Sequence, residues 1–387
     1  MTPLSIFLLA GEVSGDLHGE KLVSSLKLQF PTARLFGVGG PKMRQAGLEI
    51  VMEMEKFQVM GFVDVFLALP RLIRQFFFLR SLLLKEQPDV VIFIDYPGLN
   101  LALAKSLFKR SFKGKLCHYI CPSVWAWGKK RIPKMEKILD QLFVIFPFEK
   151  DLFDSKKIQV HYVGHPLVQK KISPISSLSI PLNHRVIALF PGSRQKEITR
   201  NFPLQIKVAK KLLSKYPDLI FAVSVAQPIF ISQLEKILTE QNFSNRDRIL
   251  FIPSTEHISL MDKATFAIAK SGTNNLELAL QKVPTIVTYG ISRLDFFIAK
   301  KILNINLSFY CIVNILAGKM IYPELIGPQF TAKALFSHAD HYLSSEEALN
   351  ECREKCIEMS KLLSNKNPSQ EIALAIKNLL QNEERSI

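Results

Sequence analysis

The stretch S-I-F-L-L-A-G-E-V-S-G-D-L-H-G (5–19) decides the reading of the fold. Its first six residues are apolar enough to be buried on both faces of a strand; Gly11, Gly15 and Gly19 follow, and the pattern then turns helical. A buried strand that passes through a small-residue loop into a helix is the opening step of a parallel α/β sheet, in which ligands bind beyond the carboxyl ends of the strands. The design returns in A-L-F-P-G-S-R-Q-K-E (188–197), a strand, then Pro-Gly, then Ser-Arg opening a helix. Neither loop, nor G-V-G-G (37–40), carries the G-x-G-x-x-G dinucleotide fingerprint.

Outward from these two loops, short apolar runs recur at 33–38, 89–95, 115–121, 141–146 and 160–164, and again at 185–190, 219–225, 248–253, 266–270 and 284–290. Helical patterns separate most of them, so the chain reads as α/β with parallel sheets covered by helices, and so many strands predict two sheets. Residues 169–184, Q-K-K-I-S-P-I-S-S-L-S-I-P-L-N-H, are rich in Ser, Pro and Lys without a sustained period and read as a linker. The expected organisation is a Rossmann-like doubly wound domain over 1–168, the linker, a second such domain over 185–330 and a helical tail over 331–387.

A chain of 387 residues is long enough to bury a full core. Lys plus Arg number 50 against 34 Asp plus Glu, a net charge of +16, which predicts an anionic partner: nucleic acid, a membrane surface or a phosphorylated substrate. No RNP-like pattern or helix-turn-helix is visible, which argues against nucleic acid. Five cysteines, an odd number, do not make a disulfide framework, and the C-x-x-x-C pairs Cys117/Cys121 and Cys352/Cys356 lack His or Cys partners nearby, so no metal site is expected. The N-terminus lacks the basic start of a signal peptide, and no run reaches the ~18 apolar residues of a spanning helix.

Gly11, Glu12, Ser14, Asp16 and His18 sit at the first strand-end crevice; the plainer reading has Ser14 and Asp16 capping the helix. V-V-I-F-I-D-Y-P-G-L-N (90–100) puts Asp95 at the tip of a wholly apolar strand, stopped at once by Pro97 and Gly98. A partly desolvated carboxylate there is a candidate general base for a hydroxyl nucleophile, because burial raises its proton affinity; capping the helix from Leu99 is the alternative. Gly192, Ser193 and Arg194 make an anion site suited to a diphosphate. K-S-G-T-N-N-L-E (270–277) repeats the design, with the N–H groups of Ser271, Gly272 and Thr273 facing phosphate, Asn274 beside them and Glu277 in reach of a sugar diol. Two such loops converge on a nucleotide, while the lack of a Walker A sequence and of D-x-D disfavours P-loop chemistry and metal-bridged nucleotide-sugar binding.

Two elements face outward in this reading. In C-P-S-V-W-A-W-G-K-K-R (121–131), Trp125 and Trp127 stack on a ring or a lipid and Lys129, Lys130 and Arg131 meet phosphate, or the loop is simply packed under a solvated helix start. The segment 60–85 is apolar nearly all round yet carries Arg71, Arg74 and Arg80. It reads as an interfacial helix that turns Val65, Phe66, Leu69, Leu72, Ile73, Phe76, Phe77 and Leu83 to lipid, against the alternative of a helix buried between sheet and neighbour.

In order and approximate spacing, G-E-V-S-G-D-L-H-G, G-V-G-G-P-K-M, M-G-F-V-D-V-F, P-S-V-W-A-W-G-K-K-R, G-H-P-L, F-P-G-S-R, K-S-G-T-N-N-L-E and N-I-L-A-G-K-M-I-Y-P-E-L resemble the lipid-A-disaccharide synthase family over roughly residues 5 to 330. Asn274-Asn275 stand where smaller residues are expected after S-G-T. The resemblance implies a GT-B fold, two Rossmann-like domains with the active site between them. It implies an inverting transfer from UDP-2,3-diacylglucosamine to 2,3-diacylglucosamine 1-phosphate (lipid X), giving the disaccharide phosphate and UDP, with neither metal nor cofactor. It also implies a peripheral place on the cytoplasmic side of the inner membrane, at an anionic lipid surface, and a homodimer with exchanged C-terminal elements. Within that scheme Asp95 is the leading base and Glu12 its rival or helper; Arg194 with the 192–194 backbone and the 271–273 loop holds the diphosphate, Glu277 the ribose, and Asp16 and His18 rank second. The nearest alternative is another GT-B enzyme acting on UDP-N-acetylglucosamine, a peptidoglycan glycosyltransferase or a UDP-sugar epimerase, which would share the second-domain loops but not P-S-V-W-A-W-G-K-K-R or M-G-F-V-D-V-F.

Overall fold

The structure, a computed structural model, describes residues 3–57, 62–169, 183–291 and 307–384. The chain divides into two compact units, residues 1–169 with 363–387, and residues 170–362. The first contains β1 (Ser5–Ala10), α1 (Val13–Gln29), β2 (Arg34–Gly39), α2 (Pro41–Gln45), β3 (Glu49–Glu53), α3 (Phe62–Glu86), β4 (Val90–Ile94), α4 (Pro97–Phe108), β5 (Lys115–Tyr119), α5 (Ile132–Ile138), β6 (Gln141–Val144) and β7 (Gln159–Tyr162). Its strands pair in parallel in the order β3-β2-β1-β4-β5-β6-β7. Ile6, Phe7, Leu8 and Leu9 of β1 and all five residues of β4 are fully buried, which is why these strands read as unbroken apolar runs: helices cover both faces of the sheet.

The second unit repeats the winding with β8 (Arg185–Phe190), α6 (Gln195–Lys215), β9 (Leu219–Val225), α7 (Ile231–Glu240), β10 (Ile249–Pro253), α8 (His257–Lys263), β11 (Phe266–Lys270), α9 (Asn274–Leu280), β12 (Thr285–Tyr289), α10 (Ile312–Ala317) and β13 (Glu324–Ile326). The parallel order is β10-β9-β8-β11-β12-β13. Both sheets therefore reverse direction of winding once, between β1 and β4 and between β8 and β11, and such a reversal opens a crevice at the carboxyl ends of the two flanking strands. These are the Rossmann-like units expected of a GT-B chain. Near the second sheet's edge, the N-I-L-A-G-K-M-I-Y-P-E-L run braces the fold: buried Asn314 accepts the Ile321 and Tyr322 N–H groups through Oδ1 at 2.8 and 2.9 Å and donates to the Tyr322 carbonyl.

The helical tail expected as one piece is shared out. α11 (Ala332–Ser344) and α12 (Glu346–Ser360) stay with the second unit, where Leu335, Ala339 and Tyr342 join the core around Phe202 and Phe266. α13 (Pro368–Glu384) returns to the first unit and packs on α1, burying Ile372 and Ile376 beside Leu22 and Leu26. An amphipathic period marks a buried face without saying against which sheet. Residues 170–182 of the expected linker lie outside the described residues.

The structure also corrects the reading of α3. Gln75, Leu79 and Leu83, four residues apart, form a buried stripe, with Leu72 and Phe76 partly buried against the same core. Leu83 is fully enclosed and unavailable to lipid, because this stripe is what covers the sheet. Leu69, Ile73 and Phe77, also four apart, are 46–47% exposed, as is neighbouring Phe78 at 48%. Arg80 lays its guanidinium 4.6 Å from the Phe77 ring centre. Val65 and Phe66 lie on the helix, but their side chains fall outside the described residues.

Candidate active site

At the first crevice the backbone is bent hard. Asp95 and Tyr96 both hold left-handed conformations, φ +50° and +47°, a region that costs a non-glycine residue roughly 1 kcal/mol or more. The bend is pinned from three sides: the Asp95 N–H donates to the Tyr119 carbonyl at 2.9 Å, buried Asn100 donates through Nδ2 to the Asp95 carbonyl at 2.6 Å, and the Tyr96 hydroxyl donates to the Phe57 carbonyl at 3.3 Å. Tyr96, not Asp95, precedes Pro97 as the residue flanking α4, and no side chain caps that helix. The carboxylate is instead held at the strand tip, where it accepts from the Ser14 hydroxyl and the Tyr96 N–H. Burial outweighs both hydrogen bonds and raises Asp95 above the ordinary carboxylate range. The Tyr96 ring lies over Gly11 so closely that a Cβ there would stand 2.7 Å from Cδ1. Glu12 is exposed and opens α1 without a side-chain cap.

Two neighbours expected at the substrate are used otherwise. Asp16 is buried and accepts the N–H groups of Gly40 (2.8 Å), Lys42 (3.1 Å) and Met43 (3.0 Å), fixing the turn into α2 rather than capping α1 or facing the crevice. His18 packs edge-on to Tyr119 with ring centres 6.2 Å apart; burial, then the Lys21 charge, lower it to about 4, so it is neutral at pH 7.

The second crevice carries the opposite charge. The loops after β8 and β11 enclose a cavity of about 230 Å³ lined by Gly192, Ser193, Arg194, Gly272, Thr273 and Asn274, as the sequence led us to expect, and by Glu197 and Lys270, which it did not. Arg194 is 82% exposed and lies 3.5 Å from Glu197 Oε1; Lys270 Nζ lies 3.0 Å from the same oxygen, and the Ser193 N–H donates to Oε2 at 3.0 Å. Burial pushes the Glu197 carboxyl up, but the Lys270 hydrogen bond and charge, the Ser193 N–H and Arg194 together hold it below its ordinary value. Gly192 sits at φ +131°, and a side chain there would collide with Glu197. Ser271 is a correction: its N–H donates to the Thr288 carbonyl at 2.9 Å as part of the sheet and is not free to meet phosphate. Asn274 faces the cavity, whereas Asn275 turns inward and is fully buried. Glu277 Oε2 lies 3.6 Å from His257 Nε2, and the other ring nitrogen of His257 is 2.6 Å from the Ser254 carbonyl.

In the P-S-V-W-A-W-G-K-K-R loop, Trp125 meets Phe148 edge-on at 5.8 Å, and Phe148 stacks on Phe146 at 5.7 Å. Beneath them Glu149 is buried, accepting the Phe146 N–H at 3.1 Å and the Trp125 side chain. Burial raises it to about 8. The Trp127 side chain lies outside the described residues. Among the described residues no group of three His, Cys, Asp or Glu side chains is gathered for a metal ion.

Sequence reasoning missed Lys270, Glu197, His257, Tyr96 and Glu149. Lys270 had a signal, a cation ending an otherwise apolar strand, and Glu197 another, an acid in the first turn of α6. Glu149 had a local signal too, an acid three residues after Phe146, whose N–H it accepts; nothing in the sequence marks His257, whose carboxylate partner Glu277 lies on another element.

Comparison with known proteins gives both the fold and the family. A Neisseria meningitidis UDP-GlcNAc 2-epimerase, solved bound to UDP-GlcNAc, shares the fold with a TM-score of 0.59 at 13% identity, covering 98% of this chain and 100% of its own. The lipid-A-disaccharide synthase of Chlamydia trachomatis is 38% identical over 385 residues, 96% of this chain. The chain spans only 62% of that relative's length. The Geobacter sulfurreducens lipid-A-disaccharide synthase is 33% identical over 347 residues, 87% of either chain. With the family model for lipid-A-disaccharide synthetase matching residues 6–377, both crevices included, this chain belongs to the lipid-A-disaccharide synthetase family.

Proposed function

We propose that the protein transfers a diacylglucosaminyl group from UDP-2,3-diacylglucosamine to the 6-hydroxyl of 2,3-diacylglucosamine 1-phosphate, with inversion at the anomeric carbon. One observation carries the reading: two sheets of equivalent winding hold, at the same topological place, a desolvated carboxylate in one and a cluster of cations and N–H donors in the other. Asp95 takes the proton of the acceptor hydroxyl as its oxygen attacks the anomeric carbon; the bond from that carbon to the diphosphate oxygen breaks, and UDP leaves with the electron pair. Ser14 aims the carboxylate, and its raised proton affinity makes it a better base than a solvated aspartate. Arg194, Lys270 and the Ser193 N–H receive the charge that develops on the leaving diphosphate, and Glu277, set against His257, takes the ribose hydroxyls.

The acceptor and donor are acylated and lie in a membrane, and the Leu69, Ile73, Phe77 stripe with Arg71 and Arg74 beside it suits an anionic lipid surface. Among the described residues no helix is long and apolar enough to cross a bilayer. A dimer with exchanged C-terminal elements belongs to the same reading and is tested by the mass in solution. The reaction is tested by mixing the purified protein with both acylated sugars and measuring UDP and the product mass. UDP released only when both are present, with a disaccharide 1-phosphate formed, supports the proposal; UDP-N-acetylglucosamine turned over without any acylated sugar would move it to the epimerase alternative.

A further inference from the structure

The donors best placed for a diphosphate are held by one side chain of the protein itself. Glu197 draws Lys270, Arg194 and the Ser193 N–H onto its two oxygens. The arrangement is built rather than incidental. The Lys270 side chain is only 18% exposed and that of Glu197 13%, so each needs the other as counter-charge, and Gly192 leaves the space in which Glu197 stands.

Resting on the reading of this cavity as the diphosphate site, we propose that Glu197 is an internal competitor for the diphosphate, holding its donors between turnovers and taking them back to expel UDP. A phosphate oxygen and the Glu197 carboxylate cannot both accept the same Ser193 N–H, and two anions on one set of cations repel. Binding is then an exchange of anions: Lys270 and Arg194 trade a carboxylate for phosphate oxygens and are never left uncompensated. The exchange lowers affinity for UDP and speeds its departure, which suits an enzyme whose product carries the same diphosphate contacts as its substrate.

The neutral isostere gives the test, because a competitor and a mere strut for Lys270 have opposite signs. UDP binding by calorimetry and release by stopped flow are compared in wild type, Glu197→Gln and Lys270→Met. The proposal expects Glu197→Gln to tighten UDP about fivefold and slow its release by a similar factor, while Lys270→Met weakens binding about tenfold or more. Glu197→Ala carries the same sign as Glu197→Gln in a second background. UDP affinity unchanged or lowered in both Glu197 variants, with Lys270→Met still weakened, overturns the competitor and leaves the diphosphate site standing. UDP binding indifferent to Lys270→Met and Arg194→Ala alike would overturn the site and the competitor together.

Discussion

The crevice between β1 and β4 and the crevice between β8 and β11 are topological copies with opposite chemistry. The first is a left-handed double bend, Asp95 and Tyr96, that holds a carboxylate in a desolvated corner. The second is a cluster of cations and an N–H group, neutralised by an internal acid for which a glycine leaves the room. Strand order supplies the place in both; what is placed there depends on a few loop residues, since a fold offers sites rather than functions. Strain is spent on the carboxylate side, where a single group must be aimed, while the cation side spreads its work over several groups.

The largest break in that comparison is expected at Asp95. Asp95→Asn keeps the shape and removes the proton acceptor, so turnover should fall by about 10²- to 10⁴-fold in a disaccharide assay, with the melting temperature little changed. Near-normal turnover would move the base to Glu12. The same carboxyl sets a pH limb: its proton affinity is raised by burial, and the base form is needed, so turnover should rise with pH through a midpoint above that of an ordinary aspartate.

Next come the two stripes of α3, whose contrast is equally sharp. Leu83→Ala should cost about 3 kcal/mol in denaturant unfolding, because the side chain is fully enclosed. The double change Ile73→Ser and Phe77→Ser should leave stability nearly alone and reduce binding to anionic vesicles by about tenfold. If instead the double variant unfolds, the exposed stripe is packing surface. The last effect, on pH dependence and not on turnover or binding, is expected at Glu149. Folding raises it from about 4.5 to about 8, so its contribution to stability is greatest in acid and is lost as pH rises between those values. The melting temperature of Glu149→Gln should accordingly vary less with pH than that of wild type between pH 5 and 8.

Much of this was legible in the sequence, for physical reasons that also mark where it stops. The strands declare themselves because burial on both faces leaves no polar residue in SIFLLA or VVIFI beyond the first serine. Asp95 stands out because an acid at the end of such a strand has few places to go. Asp16 and Ser271 misled because a loop residue's type does not reveal whether sheet or helix N–H chemistry has claimed it; one closes the turn into α2 and the other stays in the β11–β12 ladder. Leu83 misled because a helix apolar nearly all round has no visible rotation, and the phase is set only when Leu79 and Leu83 meet the sheet. The pairing of Lys270 with Glu197 joins residues 73 positions apart in sequence, read from their numbers, and no local period records it.

The division of labour between the two crevices is tested most directly by UDP affinity, measured side by side for Asp95→Asn and Arg194→Ala at one salt concentration. Asp95→Asn should bind UDP within about twofold of wild type while turning over almost nothing, and Arg194→Ala should lose about tenfold or more in UDP affinity. UDP binding lost in Asp95→Asn, or retained in full by Arg194→Ala, would contradict it.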